Sequence, residues 1–439
     1  MKAVVAVVLA LLVAGPAHAA EVVRFLHNET DPPSIEFFNR AIKQFEAEHP
    51  GIRVEMEAVS TDGRLQKVTA AMNARTMPEV FKILPEERFN FGRRGFLVPL
   101  DDVAREIGLS DFPEELIIRI DGKIYDLPYT LGNFSTLWYR ADLLEAKGVA
   151  VPKTWDEWLA AARALTDGDT YGTVFPAGKN RMTSLFFSSL FWSAGGTYFD
   201  KNLEVTFDKG DAAVKALAFL KELARYAPPG IASYSYNDMI NTYLTGKIAL
   251  DLYAPRLIAN AASNRPDLVG KTRAAPPPAG PSGVGVRFVN QNSFAIASER
   301  VGAGNVEAAK TFLKYILTGD RAAEFSLTAY PHLIPPLASV RNHPLVRQGT
   351  PALKDRPDFA KMAYDTSNSL DFENEAGARI VDGKVVPGVA NPYIGSIVAR
   401  DIPALVVQRV VLQGQDPAEA VRWGAAEMRR IVNDLRKRQ

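Results

Sequence analysis

The chain has 439 residues, of which 51 are Lys or Arg and 50 are Asp or Glu, so its formal net charge is +1. This balance argues against nucleic-acid binding, which requires a concentrated basic surface. The sequence contains no cysteine, which excludes disulfides and a lipid anchor on an N-terminal cysteine.

The first residues are typical of a secretory signal peptide. An early lysine precedes an apolar run over residues 3–14, and Ala17-His18-Ala19 fits the small-residue cleavage rule. The run is too short for a membrane span, which must cross about 30 Å of hydrocarbon. We therefore expect residues 1–19 to be removed on export.

The following stretch alternates between strand and helix patterns. Strands are predicted over residues 22–26, 52–58 and 78–83, and amphipathic helices lie between them, around residues 35–45 and 65–72. This order favours a doubly wound α/β lobe, in which ligands bind at the carboxyl ends of the strands. A chain of about 420 mature residues is also too long for one ordinary core, so we expect at least two lobes.

Two local signals mark the middle of the chain. Asp121-Gly122 favours a type I′ turn and predicts a hairpin. Further on, a strand is predicted over residues 134–139, and Thr154 and Glu157 have the spacing of a capping box at the start of a helix.

The sequence around this helix also resembles a known family. Residues 139–144 read Tyr-Arg-Ala-Asp-Leu-Leu, Gly148 follows, and residues 152–158 read Pro-Lys-Thr-Trp-Asp-Glu-Trp. This string is similar to the signature of family 1 extracellular solute-binding proteins, the group that includes the maltose-binding protein, although the family usually has Tyr-Asn at Tyr139-Arg140. The resemblance continues in order along nearly the whole mature chain.

The resemblance implies an α/β fold of two lobes, the type II periplasmic-binding-protein fold. Each lobe is expected to be a doubly wound sheet flanked by helices, with three crossings between the lobes that act as a hinge. The first lobe would contain residues 20–132 and 285–332, and the second would contain residues 133–284 and 333–439.

Catalytic motifs are missing from the sequence. It contains no HExxH, Walker-type or GxSxG motif, and His27, His49, His332 and His343 show no metal-ligand spacing. We therefore expect no metal, no cofactor and no enzyme activity. Counting carboxylates does not exclude a glycosidase pair, so a sugar-acting enzyme stays as an alternative.

Candidate ligand residues follow from the family positions, and their mixture of amides, carboxylates, arginines and aromatic groups suits sugar hydroxyls and C–H faces. Three alternatives stay open: an internal salt bridge for Glu87 and Arg88, a core position for Tyr253, and a solvated surface for Arg400. The candidates are His27, Asn28, Glu29, Glu87, Arg88, Asn133, Arg181, Thr183, Tyr253, Arg256, Asn290, Gln291 and Arg400.

The resemblance thus implies the periplasmic substrate-binding component of an ABC importer, a monomer that binds a sugar or oligosaccharide between its lobes and delivers it to the membrane permease. Arg256 stands where sugar receptors often carry an aromatic platform, which weakens a maltodextrin assignment. Because the guanidinium groups of Arg181, Arg256 and Arg400 suit carboxylate or phosphate, glycerol 3-phosphate, a polyol or an acidic sugar is the alternative ligand.

Overall fold

The computed structural model describes residues 20–437, so the predicted signal peptide lies outside the described residues. Two main sheets and two short hairpins contain its strands. The strands are β1 Glu21–His27, β2 Ile52–Ala58, β3 Val80–Ile83, β4 Arg119–Ile120, β5 Lys123–Ile124, β6 Asp126–Asn133, β7 Thr136–Arg140, β8 Tyr171–Val174, β9 Ile248–Tyr253, β10 Thr272–Ala275, β11 Arg287–Ile296, β12 Ser369–Leu370, β13 Arg379–Val381 and β14 Lys384–Val386.

Helices cover these sheets and form most of the remaining structure. They are α1 Pro32–Glu48, α2 Thr61–Ala74, α3 Pro85–Arg93, α4 Asp101–Ile107, α5 Ala141–Lys147, α6 Trp155–Leu165, α7 Arg181–Ser193, α8 Ala212–Leu223, α9 Tyr236–Leu244, α10 Arg256–Asn264, α11 Pro266–Lys271, α12 Val306–Leu317, α13 Gly319–Leu327, α14 Ala338–Arg341, α15 Pro344–Gln348, α16 Pro357–Ala363, α17 Ile394–Val398, α18 Ile402–Val411 and α19 Pro417–Arg436. Within the described range, no helix is long and apolar enough to cross a membrane.

The first lobe is built on strands β11-β3-β1-β2 of the larger sheet, in which β6 also pairs with β11. Strand β12 pairs with the start of β11, and its Leu370 packs in the core of the second lobe. Strand β1 runs parallel to both β2 and β3, whereas β11 is antiparallel to β3 and β6. Parallel central strands place the loops after β1 and β3 at the same edge, where ligands bind in such sheets. Aromatic residues fill this core, with Phe25 meeting Phe38, Phe294 and Phe312 at ring distances of 5.2–5.3 Å.

The second lobe is built on the sheet β10-β7-β9-β8, which is mixed because only β8 and β9 run parallel. Its large core includes Trp138, Trp158 and Trp192, all buried. The N-terminus of α6 carries the expected cap, since Thr154 Oγ1 accepts a hydrogen bond from the amide of Glu157 at 3.2 Å. The Glu157 carboxylate, however, accepts from the amide of Lys153 at 2.6 Å and not from Thr154, so the reciprocal half of the box is shifted by one residue.

The two lobes are joined where strands run from one core into the other. Asn133 ends β6 in the first sheet, and Thr136 begins β7 in the second. Strand β11 brings the chain back from the second lobe to the first, since its Phe288 belongs to the second core and its Phe294 to the first. Helices α14 and α15 pack on α13 of the first lobe, and Leu353 returns to the second core. Residues 337–346 therefore lie with the first lobe, beyond the limit of 332 expected from the sequence, because Leu337 and Val346 fill an apolar site beside Phe112.

Candidate functional site

A cavity lies between the two sheets and measures about 740 Å³ when the space open to solvent is counted. Both lobes contribute to its wall, and most of the lining side chains are polar. The lining residues are Asn28, Glu29, Thr30, Asp31, Ser60, Lys82, Leu84, Phe134, Arg181, Met182, Tyr236, Asn237, Arg256, Asn290, Asn292 and His332.

Strand and helix ends position these side chains. The loop after β1 supplies residues 28–31, and the end of β3 supplies Lys82 and Leu84. From the second lobe, Arg181, Tyr236 and Arg256 are the first residues of α7, α9 and α10. The sequence thus places the ends of elements from both lobes around one cavity, as expected for ligand sites in α/β sheets.

Arg256 connects the two lobes across this cavity. Its Nη2 donates to Glu29 Oε2 at 2.6 Å, and its Nη1 donates to Asp31 Oδ2. Arg256 and Glu29 are both buried, whereas the Asp31 side chain is 27% exposed. One guanidinium therefore reaches from the buried base of the cavity to its rim and pairs with both acids that line the wall.

The carboxylate of Glu29 is stabilised by several neighbouring groups. Its Oε1 accepts from the Tyr129 hydroxyl at 2.7 Å and lies 3.9 Å from Lys82 Nζ. Burial alone would raise the pKa of Glu29, but the charges of Arg256 and Lys82 and the Tyr129 hydrogen bond outweigh it and lower the pKa to about 2. Glu29 is thus an anion at neutral pH, and its charge is balanced within the protein.

Two buried histidines are neutral at the same pH. Burial lowers the pKa of His332 well below its usual value, and the neighbouring charge of Arg256 adds to this effect. Burial also lowers the pKa of His27 to about 4, against an opposing contribution from Glu29. His332 lies in the cavity wall, while His27 lies behind it, with Nδ1 accepting from the amide of Glu29 at 3.2 Å.

The aromatic lining forms one continuous patch. The Phe134 ring lies 6.4 Å from that of Tyr236 and 6.1 Å from that of His332, both edge to face. Tyr236 and His332 are also joined by a long hydrogen bond of 3.4 Å. Such a surface suits the C–H face of a sugar or polyol chain.

Strand β11 separates this cavity from a second one. Asn290 and Asn292 line the first cavity, whereas Gln291 lines a cavity of about 1450 Å³, with the space open to solvent counted, whose lining also includes Val289 and Glu373. The division follows from the period of two along a strand, which points successive side chains to opposite faces. Gln291 there donates to Ser293 Oγ at 3.2 Å.

Glu87 and Arg88 both take part in internal ion pairs, the alternative that the sequence left open. Glu87 pairs with the buried Arg64 at 2.6 Å. Arg88 is fully buried and pairs with Asp126 at 2.7 Å and with Glu373 at 2.6 Å. Buried charges require such partners, and neither residue is among those that line the first cavity.

The other candidate residues divide into those in the wall and those outside it. Asn28, Glu29, Arg181, Arg256 and Asn290 line the cavity. Of the rest, Asn133 Oδ1 accepts from the amide of Ser135 at 3.0 Å, Thr183 donates its amide to Asn180 at 3.0 Å, and the Tyr253 hydroxyl donates to the Tyr236 carbonyl at 2.8 Å. Arg400 is exposed between α17 and α18.

Sequence reasoning did not select several residues of the wall. Lys82 lies near the end of the strand predicted over residues 78–83. Its position just before an expected binding loop could have identified it as a ligand residue. His332 is the last residue that the sequence assigned to the first lobe, so it lies at the expected third crossing between the lobes. Tyr236 and Asn237 follow a serine that caps α9, and helix N-termini at an interlobe edge are a general site for polar ligands. Among the described residues, no group of three or more His, Asp or Glu side chains is arranged to hold a metal ion.

Comparisons with known proteins agree with the two-lobed architecture. The family model described as bacterial extracellular solute-binding protein matches residues 31–320. A binding protein of Brucella abortus (strain 2308) is 29% identical over 324 residues, which are 72% of this chain and 76% of that protein.

Two solved structures share the fold. Maltose-bound MalE3 of T. maritima has a TM-score of 0.77 at 21% identity, and the match covers 93% of this chain and 99% of that one. A solute-binding protein of an ABC transporter from Agrobacterium vitis S4, with bound D-mannitol, has a TM-score of 0.76 at 21% identity over 95% of this chain and 99% of that one. The type II fold expected from the sequence is confirmed, and since the family model spans more than half of the chain, the chain belongs to the family of bacterial extracellular solute-binding proteins.

Proposed function

We propose that this protein is the periplasmic receptor of an ABC importer and that it binds a neutral sugar or polyol in the cavity between its lobes. Residues 1–19 act as the export signal, and the mature protein is a monomer that delivers its ligand to the permease subunits. Asn28, Glu29, Lys82, Arg256 and Asn290 contact the ligand.

The pairing of charges within the cavity carries the choice of a neutral ligand. Arg256 already pairs with both Glu29 and Asp31, and Lys82 lies 3.9 Å from Glu29, so two cations balance these two anions. An incoming carboxylate or phosphate would compete with these acids for the same cations, whereas hydroxyl groups can accept from and donate to paired groups without separating them. The aromatic patch of Phe134, Tyr236 and His332 supplies the apolar contact that such ligands need.

Similar proteins support the same class. The MalE3 structure holds maltose, and the Agrobacterium vitis structure holds D-mannitol, both neutral polyhydroxy compounds. The family and the fold are those of substrate-binding proteins, and a binding role requires no covalent step. Ligand contacts from both lobes favour closure by no more than the difference in affinity between the closed and open forms.

An anionic ligand is the second candidate, because three cations, Lys82, Arg181 and Arg256, line the wall. Arg181 is also the first residue of α7, where the helix dipole favours anions. A sugar acid or glycerol phosphate would then place its anionic group beside Arg181.

A thermal-shift screen of the mature protein distinguishes these candidates. A ligand that binds only the native state raises the melting temperature as RT ln(1 + [L]/Kd) grows. Neutral monosaccharides and polyols should raise it, whereas matched sugar acids and glycerol phosphates should raise it less. A response confined to the anions would overturn the neutral assignment, and product formation from an oligosaccharide would overturn the binding role itself.

A further inference from the structure

The cavity is bounded at one side by the Arg256 bridge. Glu29, at the base, is buried, whereas Thr30 is exposed and Asp31 is partly exposed, so the loop after β1 climbs from the base of the cavity to its rim. Arg256 contacts Glu29 at 2.6 Å and also contacts Asp31, so it binds both the buried and the partly exposed acid of this loop. Contacts between the lobes thus occupy this side of the cavity from its base to its rim.

The cavity also offers only a small aromatic surface against which a sugar ring can stack. Three aromatic side chains contribute to the lining, and Phe134 lies within 6.4 Å of both of the others. Stacking of a second sugar unit would require a further apolar surface beside these rings. Apart from the three rings, the lining is mostly polar and includes the guanidinium of Arg256.

Arg256 is also difficult to displace. If a longer ligand pushed it aside, the buried carboxylate of Glu29 would retain only the Tyr129 hydroxyl at 2.7 Å and Lys82 at 3.9 Å. A buried charge that loses its closest partner is strongly unfavourable. Binding of a second sugar unit would therefore have to overcome the loss of two interlobe ion pairs.

We propose, on the basis of the function proposed above, that Arg256 is a specificity-determining residue that limits the ligand to one sugar unit or an open-chain polyol of similar length. The bridge from Arg256 to Glu29 and Asp31 closes the cavity against a second unit. The ligand class is then that of monosaccharides and alditols, and oligosaccharides are excluded by length.

Calorimetric titration of the mature protein tests this assignment with two ligand sets: D-mannitol, ribitol and D-glucose as single units, and maltose and cellobiose as double units. The wild type should bind at least one single unit at least tenfold more tightly than either double unit. In Asp31→Ala, which removes the outer anchor of Arg256 at a partly exposed position, the ratio between single-unit and double-unit affinities should fall at least threefold. Arg256→Ala should lower it further.

The surface variant Asp169→Ala, which breaks the exposed pair with Lys247, is the control and should leave the ratio unchanged. Thermal unfolding shows whether each variant is folded, and Asp31→Ala remains informative if Arg256→Ala does not fold. A wild type that binds a double unit as tightly as the single units would overturn the size limit while leaving the proposed function intact. Failure of all five compounds to bind would overturn the proposed ligand class and the size limit together.

Discussion

The guanidinium of Arg88, on α3 of the first lobe, lies 2.6 Å from the carboxylate of Glu373, which the second lobe contributes. The same guanidinium pairs with Asp126 at 2.7 Å, so three buried charges meet behind the crossing strands. Burial lowers the pKa of Arg88, but the two carboxylates outweigh this effect and raise it, so Arg88 keeps its charge. This network connects the lobes at a place separate from the ligand cavity.

Replacement of Glu373 by alanine should therefore destabilise the protein. Removal of one partner from a buried ion network costs about 3–5 kcal/mol, because the remaining charge loses its compensation. Urea unfolding monitored by circular dichroism measures this change in the free energy of unfolding. Asp169→Ala is the matched control, since its exposed pair with Lys247 should contribute less than about 1 kcal/mol. An equal effect of the two substitutions would show that the network contributes nothing beyond a surface pair.

Local patterns in the sequence predicted much of the fold. The Asp121-Gly122 hairpin forms with both residues at positive φ, 50° and 80°, as a type I′ turn requires. The cap at Thr154 also forms, because it depends on residues within one helical turn. These features are predictable because all of their atoms come from a few consecutive residues.

The site was harder to predict because its contacts join distant residues. Glu87 and Arg88 are adjacent, yet Glu87 pairs within the first lobe and Arg88 pairs across to the second. Asn290 and Gln291 are also adjacent, and the strand period shows that they face opposite sides but not which side is the cavity. Only the packing of the two sheets decides that Asn290 faces the cavity with Arg256.

Protonation of His27 should lower the stability of the protein as the pH falls below 6.5, against the opposite contribution of Asp251. His27 is neutral in the folded state because burial lowers its pKa from 6.5 to about 4, whereas in the unfolded chain it binds a proton near pH 6.5. Since the unfolded state then binds more protons, His27 alone removes about 3 kcal/mol of stability by pH 4. His332, whose pKa is also lowered, acts in the same direction.

Unfolding in urea at pH 7.0, 5.5 and 4.5 measures this dependence. His27→Gln should reduce the slope, because glutamine does not titrate. Glu29 adds a further loss below its ordinary pKa of 4.5 that continues down to about 2, since its lowered pKa stabilises the fold only while the carboxylate is ionised. If the free energy of unfolding changed by the same amount in the wild type and in His27→Gln between pH 7.0 and 4.5, the assignment of a buried neutral His27 would be contradicted.

Asp251, in the centre of strand β9, should reduce stability at neutral pH. Its side chain is fully buried, and neither carboxylate oxygen has a hydrogen-bond partner among the described residues. Burial therefore raises its pKa well above the usual value, so between pH 3.8 and this raised pKa the folded state keeps a proton that the unfolded chain releases. Because a raised pKa of this kind disfavours folding as the pH rises above 3.8, Asp251→Asn should raise the melting temperature at pH 7 and have a smaller effect at pH 4. Asp169→Asn, at an exposed position, should change neither value, and a lower melting temperature for Asp251→Asn at pH 7 would contradict the raised pKa of Asp251.

The adjacent residues Asn290 and Gln291 give the sharpest test of the ligand cavity. Asn290 lines the cavity that contains Arg256, whereas Gln291 lines the cavity on the opposite face of β11. Asn290→Ala removes a buried hydrogen-bonding group from the ligand site, and it should weaken binding by about 1–3 kcal/mol, which is roughly 5- to 150-fold in Kd.

Gln291→Ala should leave the Kd of the same ligand within threefold of the wild type, because its amide contacts Ser293 on the far side of the strand. Both side chains are buried on one strand, so any general loss of stability should be similar, and melting temperatures without ligand provide that comparison. Calorimetric titration with the tightest ligand from the thermal-shift screen gives both Kd values. If Gln291→Ala weakened binding more than Asn290→Ala, the ligand would have to bind on the opposite face of β11, in the cavity beside Glu373.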